Sequence, residues 1–205
     1  DVELGAEIIR DECNEVTDAL RFRGTDGVLV VAGLAGGTGG GAPALADYLW
    51  RIADVPVYGL GILPGSDEGG IYTLNASRVL PEFRSATDGL LLFDNDAWRQ
   101  DDPDPDYDSL NRALVARLRP ILDVPSEAGV LDLLDEADGL ATIGYASETV
   151  DTGDDGLLSR FTGGGETDVD ETDATNRLTS LVRKATLGRL TMPAEVADCT
   201  HAGLV

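Results

Sequence analysis

VLVVAGLAGGTGGGAPALADYL, from Val28 to Leu49, runs from a β-branched stretch through six glycines in nine residues, Gly33 to Gly41, into a helix-forming segment. VLVVA has the length and composition of a strand buried on both faces of a parallel sheet. Pro43 suits the first turn of a helix, which the pattern carries to about Ala53. A strand, a glycine loop and a helix N-terminus make an anion site, because outward backbone N–H groups and the helix dipole both favour negative charge. A turn that only packs a helix on a sheet needs one or two glycines. The Walker phosphate loop requires a lysine after its glycines, and none follows here. The dinucleotide fingerprint finds only Gly39-x-Gly41-x-x-Ala44, and the next strand does not end in the acidic residue that would hold a ribose.

The surrounding chain repeats the alternation. Val2 to Phe22 carries Leu4, Ile8, Ile9, Val16 and Leu20 near helical spacing, which predicts an amphipathic helix. Val55–Gly61 reads as a second strand and ILPGSDEGG as a loop. Ile71–Ser85 is helical in pattern, with Pro81 expected to kink it or end it early, and Leu90–Phe93 is a third buried strand. Alternating strands and helices predict a doubly wound, Rossmann-like parallel α/β sheet, whose ligands bind at the carboxyl ends of the strands. An acidic linker, RQDDPDPD, precedes YDSLNRALVARLRPIL, where Leu110, Leu114, Val115 and Leu118 predict a long, largely buried central helix. GLATIGYA reads as a further strand, Ser147–Asn176 as a polar mobile loop, Arg177–Leu190 as a helix and His201–Val205 as the start of a strand. These last elements are expected to begin a second, α+β domain.

Composition narrows the classes. The net charge is −23, and only one of the fifteen basic residues is a lysine, Lys184. Such a surface repels DNA and RNA, whose binding depends on Lys and Arg releasing counterions. Acidic residues spread along the whole chain suit a high-salt interior, where the Debye length shrinks to roughly 3 Å at 1 M. No apolar run is long enough to span a membrane and no signal-peptide pattern is visible, so a soluble, cytoplasmic protein with no direct membrane insertion is expected. Cys13 and Cys199 read as buried small hydrophobes and His201 as a packing residue, since none has the neighbours of a metal site or a catalytic triad.

GGTGGGAP, Gly36–Pro43, is very similar to the signature loop of the tubulin/FtsZ family, GGGTGSG or GGGTGTGAAP. YDSLNRALV resembles tubulin's YGDLNHLV. SDEGGIYTLNA resembles the family's ribose loop, FDNDAW its PNDKL and DNEAL strand ends, and GYASE its GVASGE. RKATLGRLTMPAEV resembles the haloarchaeal CetZ branch. The resemblance covers nearly all of the chain and implies a GTPase domain over 1–106, a central helix over 107–128 and the beginning of the C-terminal, activation domain over 129–205.

The same resemblance assigns roles. Ala35, Gly36, Gly37, Thr38, Gly39 and Gly40 would hold the phosphates of GTP or GDP, and Glu68 would bind the sugar. Tyr107 would stack on guanine and Asn111 would hydrogen-bond its edge. The two lie four residues apart, hence on one helix face, and a carboxamide offers the mixed donors and acceptor that guanine needs. Tyr72 stands where FtsZ has an arginine in the ribose loop. Mg²⁺ is implied by GTP chemistry, with no ligand named. Family members assemble head to tail, and an NxDxxD loop of one subunit completes hydrolysis on the nucleotide of the next. GVLDLLDEADG offers Asp135 and Asp138 at the DxxD spacing but lacks the Asn, so a non-hydrolysing guanine-nucleotide-binding relative is the competing expectation. No GGAGGN or GQCGNQ loop occurs in the chain, from which a fragment of a longer protein is expected.

Overall fold

A computed structural model describes residues 1–20, 24–99, 106–123, 140–148, 171–195 and 198–202. They fall into two compact units, one of residues 1–143 with 191–205 and one of residues 144–190. The larger holds α1 (Val2–Ala19), β1 (Val28–Gly33), α2 (Ala42–Ile52), β2 (Val57–Leu63), α3 (Gly70–Ser85), β3 (Gly89–Asp94), α4 (Asn95–Arg99), α5 (Tyr107–Leu122) and β4 (Leu140–Ala141). The smaller contains α6 (Glu171–Leu187) and an antiparallel bridge between Gly144 and Leu190.

The sheet runs β1-β2-β3-β4 with every pair parallel, in the register Val30↔Gly59, Leu60↔Leu91 and Leu90↔Leu140. Helices cover both faces, as expected of a doubly wound sheet. On one face Val30, Ala32, Leu90 and Leu92 pack with Ala46 and Leu49 of α2 and with Val79 and Phe83 of α3. On the other, Leu60, Leu91, Phe93 and Trp98 pack with Leu110, Leu114 and Leu118 of α5.

Several boundaries and faces differ from expectation. The buried face of α1 is Val2, Ala6, Cys13 and Thr17, whereas Leu4 and Ile8 are half exposed. Small residues win that face because the glycine loop lies against it: a Cβ on Gly40 would sit 2.5 Å from the Val2 Cα. Pro81 neither ends nor displaces α3, since it lies on the solvent side while Ala76, Val79 and Phe83 hold the helix to the core through its last turn. Among the described residues β1 pairs with β2 alone, and Val31 is 55% exposed rather than buried. α5 buries a single leucine stripe and leaves Val115 exposed. α6 begins at Glu171, earlier than expected. Cys13 is buried, but Cys199 and His201 are exposed, and Ala202 continues no strand. Burial pushes the Cys13 thiol above its ordinary pKa.

At the amino edge of the sheet, Asp88 clamps three elements. Its carboxylate accepts from Val57 N at 2.7 Å and from Trp50 Nε1 at 3.1 Å, while its own N–H donates to Val57 O at 2.8 Å. Hydrogen bonds to a charged acceptor contribute about 1.5–3 kcal/mol. Asp88→Ala is therefore expected to lower unfolding free energy by about 2 kcal/mol, read from denaturant unfolding followed by tryptophan emission.

Candidate nucleotide site

Because β1, β2 and β3 are parallel, the segments that leave their carboxyl ends share one edge of the sheet. Gly33 leads into the glycine loop, Leu63 into residues 64–69, and Asp94 into α4. Every site residue expected before α5 lies on the first two of these segments.

The glycine loop is held from below and behind. Leu34 is fully buried and its N–H donates to Ile62 O at 3.0 Å, while Asn75 of α3 donates to Ala35 O at 3.0 Å. Gly39–Gly41 form one 3₁₀ turn that runs directly into α2, with Gly40 N–H on Gly36 O and Gly41 N–H on Thr38 O. These bonds leave the amides of Ala35, Gly37, Thr38 and Gly39 with no acceptor among the described residues. Gly36 and Thr38 are exposed. A row of uncommitted amides at the head of an eleven-residue helix can receive an anion with several acceptor oxygens.

The second segment contains a short 3₁₀ turn, Ser66–Glu68, followed by Gly69 at φ 103°, a left-handed conformation that admits glycine readily, and then α3. Glu68 turns one carboxylate oxygen inward to accept from Gly65 N at 2.8 Å. Asp96 of α4 accepts from Ser66 N at 2.8 Å, and its own N–H donates to Asp94 Oδ1 at 2.9 Å, which fixes the segment to the end of β3. FDND thus ties the 64–69 segment to the end of β3.

Tyr107 is the first residue of α5, whose N-cap Asp106 accepts from Ser109 N at 2.6 Å. It is 50% exposed, and Asn111 is exposed on the same helix face. The Arg99 guanidinium lies 5.2 Å from the centre of the Tyr107 ring and pairs with the Asp67 carboxylate. Asp67 is held below the usual carboxylate range by that hydrogen bond, and Arg99 is held above the usual arginine value by the same bond. Burial and the neighbouring Glu68 carboxylate raise the Tyr107 hydroxyl above the usual tyrosine value, so at neutral pH it stays a neutral phenol. Through Arg99 the structure thus joins Tyr107 to Asp67, the neighbour of Glu68 in the 64–69 segment. Asp135 and Asp138 lie outside the described residues.

Asn75 and Arg99 were not legible as site residues. Each acts across elements through a side chain whose partner is distant in sequence, and no local spacing marks such a pair. The arginine that closes FDNDAWR was the available signal for the second. No group of three or more His, Cys, Asp or Glu among the described residues could hold a metal ion.

Two family models divide the chain between them: the GTPase domain of the tubulin/FtsZ family matches residues 1–101, and the C-terminal domain of tubulin-like CetZ matches residues 103–205. The chain belongs to the CetZ branch of the tubulin/FtsZ family. The tubulin-like protein CetZ1 of Haloferax volcanii is 47% identical over 229 residues, an alignment that takes in 100% of this chain and 58% of CetZ1. The chain therefore spans less than two thirds of that relative's length. Among solved structures, a GDP-bound CetZ1 monomer from Haloferax volcanii superposes with a TM-score of 0.80 at 46% identity, over 95% of this chain and 55% of that one. A GTPγS-bound CetZ2 protofilament from the same organism gives 0.76 at 36% identity, over 94% and 55%. The tubulin-like GTPase fold read from GGTGGGAP and YDSLN is thus the fold of this CetZ chain, and the guanine nucleotide of those two relatives is of the kind the sequence called for.

Proposed function

We propose that this chain carries the guanine-nucleotide pocket of a CetZ-type cytoskeletal GTPase that polymerises head to tail and completes hydrolysis at the subunit contact. The observation that carries the proposal is the convergence on one sheet edge of uncommitted loop amides and of Tyr107, which Arg99 joins to the 64–69 segment. The nucleotides in the CetZ1 and CetZ2 structures and the CetZ2 protofilament support it.

In this reading the phosphates rest on the amides of Ala35, Gly37, Thr38 and Gly39, with Thr38 adding a hydroxyl and α2 its dipole, while Gly36 and Gly40 let the backbone approach. Charge-assisted bonds of this kind contribute about 1.5–3 kcal/mol each. Guanine stacks on Tyr107, an interaction of about 1–3 kcal/mol, and presents its edge to Asn111. Glu68 keeps one carboxylate oxygen on Gly65 N and offers the other to the ribose hydroxyls. Mg²⁺ dehydrates reluctantly and is commonly held by one or two carboxylates together with substrate phosphates, so the nucleotide itself would supply part of its coordination. When bound, it would neutralise charge developing between the β- and γ-phosphates.

Asp135 and Asp138 of one subunit would orient and deprotonate the water that attacks the γ-phosphate in the next, so that assembly supplies the missing half of the site. The acidic surface keeps the protein apart from nucleic acid. No helix among the described residues is long and apolar enough to cross a membrane.

The test is GTP turnover by the complete natural chain as a function of its concentration. Turnover per subunit is expected to rise with self-association, and the Asp135→Asn, Asp138→Asn double variant is expected to lose about a hundredfold or more in rate while still binding GTP. Turnover that is independent of concentration, or untouched by the double substitution, overturns hydrolysis at the contact.

A further inference from the structure

Arg99 makes none of the nucleotide contacts proposed above. It ends α4, whose Trp98 is buried and stacked on Phe93 with ring centres 5.5 Å apart, so the backbone that carries Arg99 is anchored in the core. From there the side chain runs between the 64–69 segment and the start of α5. It is only 17% exposed, pairs with Asp67 and lies over the Tyr107 ring. Its Nε is buried without an acceptor among the described residues. Gly65 makes the room, since a Cβ there would sit 2.9 Å from Arg99 Nη1. Such a side chain is held by shape and by two partners rather than displayed to solvent.

We propose that Arg99 is a positioning residue for the nucleobase: it backs one face of Tyr107 and locks the ring to the 64–69 segment, leaving the opposite face set for guanine. Tyr107 is half exposed although Arg99 covers one side of it, which is the exposure expected of a ring with one face open. A cation over an aromatic face is attracted to the ring quadrupole, and the Asp67 carboxylate keeps the guanidinium from turning away. Asp96 on Ser66 N clamps the same segment to the same short helix, so the sugar-side and base-side residues move as one block. A ring already fixed loses less freedom when the base arrives. The proposal rests on the guanine-nucleotide reading of the site.

The test compares Arg99→Met, Arg99→Lys, Asp67→Asn, Tyr107→Ala and the Arg99→Met, Tyr107→Ala pair in the complete natural chain. Calorimetric titrations use GDP, ADP and inorganic pyrophosphate, and thermal unfolding is recorded alongside. Arg99→Met is expected to weaken GDP binding about five- to tenfold and leave pyrophosphate binding unchanged. Arg99→Lys and Asp67→Asn are expected to fall between it and the parent. In the Tyr107→Ala background, Arg99→Met is expected to add nothing, because its effect passes through the ring. Equal GDP affinity in Arg99→Met and the parent overturns the proposal. So does a loss that persists in full without Tyr107, or one that extends to pyrophosphate, since either marks a general structural role. Should Arg99→Met fail to fold, Asp67→Asn decides: an unchanged GDP affinity overturns the proposal. A parent that binds GDP no more tightly than ADP rejects the guanine site itself, a result separable from any difference among the variants.

Discussion

Gly39→Ala is expected to remove nucleotide binding and to lower unfolding free energy by about 3 kcal/mol or more, a size reserved for substitutions that force backbone apart. The added Cβ would overlap the Gly33 carbonyl oxygen and lie 2.7 Å from its carbonyl carbon. Both atoms belong to the end of β1, which is paired with β2 through Gly33↔Ile62, so neither can retreat without opening the ladder. The 3₁₀ turn of Gly39–Gly41 would have to lift, and with it the uncommitted Gly39 amide. GDP titration together with denaturant unfolding checks the result. Undiminished binding in Gly39→Ala would mean that the loop tolerates movement the packing forbids.

Phe83→Ala is expected to lower unfolding free energy by about 3–5 kcal/mol while leaving GDP affinity unchanged in the molecules that remain folded. Phe83 is fully buried at the last turn of α3, and its ring sits against β2 where Gly59 leaves space: a Cβ on Gly59 would lie 3.0 Å from Phe83 Cζ and 2.6 Å from Leu90 Cδ1. Truncation leaves a cavity bounded by strands that cannot collapse inward, the circumstance in which large-to-small changes cost most. A domain of this size loses roughly 2–4 °C of melting temperature per kcal/mol, so thermal unfolding reads the effect directly. The two substitutions separate: Gly39 acts on fold and site together, whereas Phe83 acts on fold alone.

The contrast also marks what was legible from residues in order. The parallel α/β sheet followed from VLVVAG, VPVYGLG and TDGLLLFD because short apolar runs between helical periods have few other solutions. The loop that follows β1 was legible because its six glycines exceed what a turn requires, and YDSLN supplied the second, independent motif. The α1 face was misread because hydropathy points to Leu4 and Ile8, while close packing on a glycine loop selects Ala6 and the glycine at position 5. A Cβ at that position would press on Gly37 at 2.9 Å from its carbonyl carbon. Size complementarity of this sort is a property of two surfaces, and one strip of sequence holds only one of them. The survival of α3 through Pro81 has the same origin, since tertiary burial of Phe83 offsets a local penalty that propensity alone would let prevail. Arg99 and Asn75 were hidden for a third reason: their partners, Asp67, Tyr107 and Ala35, meet them only after the strands have been laid side by side.

The central claim is that this sheet edge selects a guanine nucleotide, and the measurement closest to it is a parallel titration of the complete natural chain with GDP and ADP, in the parent and in Tyr107→Ala. The parent is expected to bind GDP at least tenfold more tightly than ADP, because in the proposed pocket Asn111 meets the guanine edge, and Tyr107→Ala is expected to weaken GDP binding by about tenfold or more. Equal affinity for the two nucleotides, or a Tyr107→Ala variant that binds GDP as the parent does, would contradict the account.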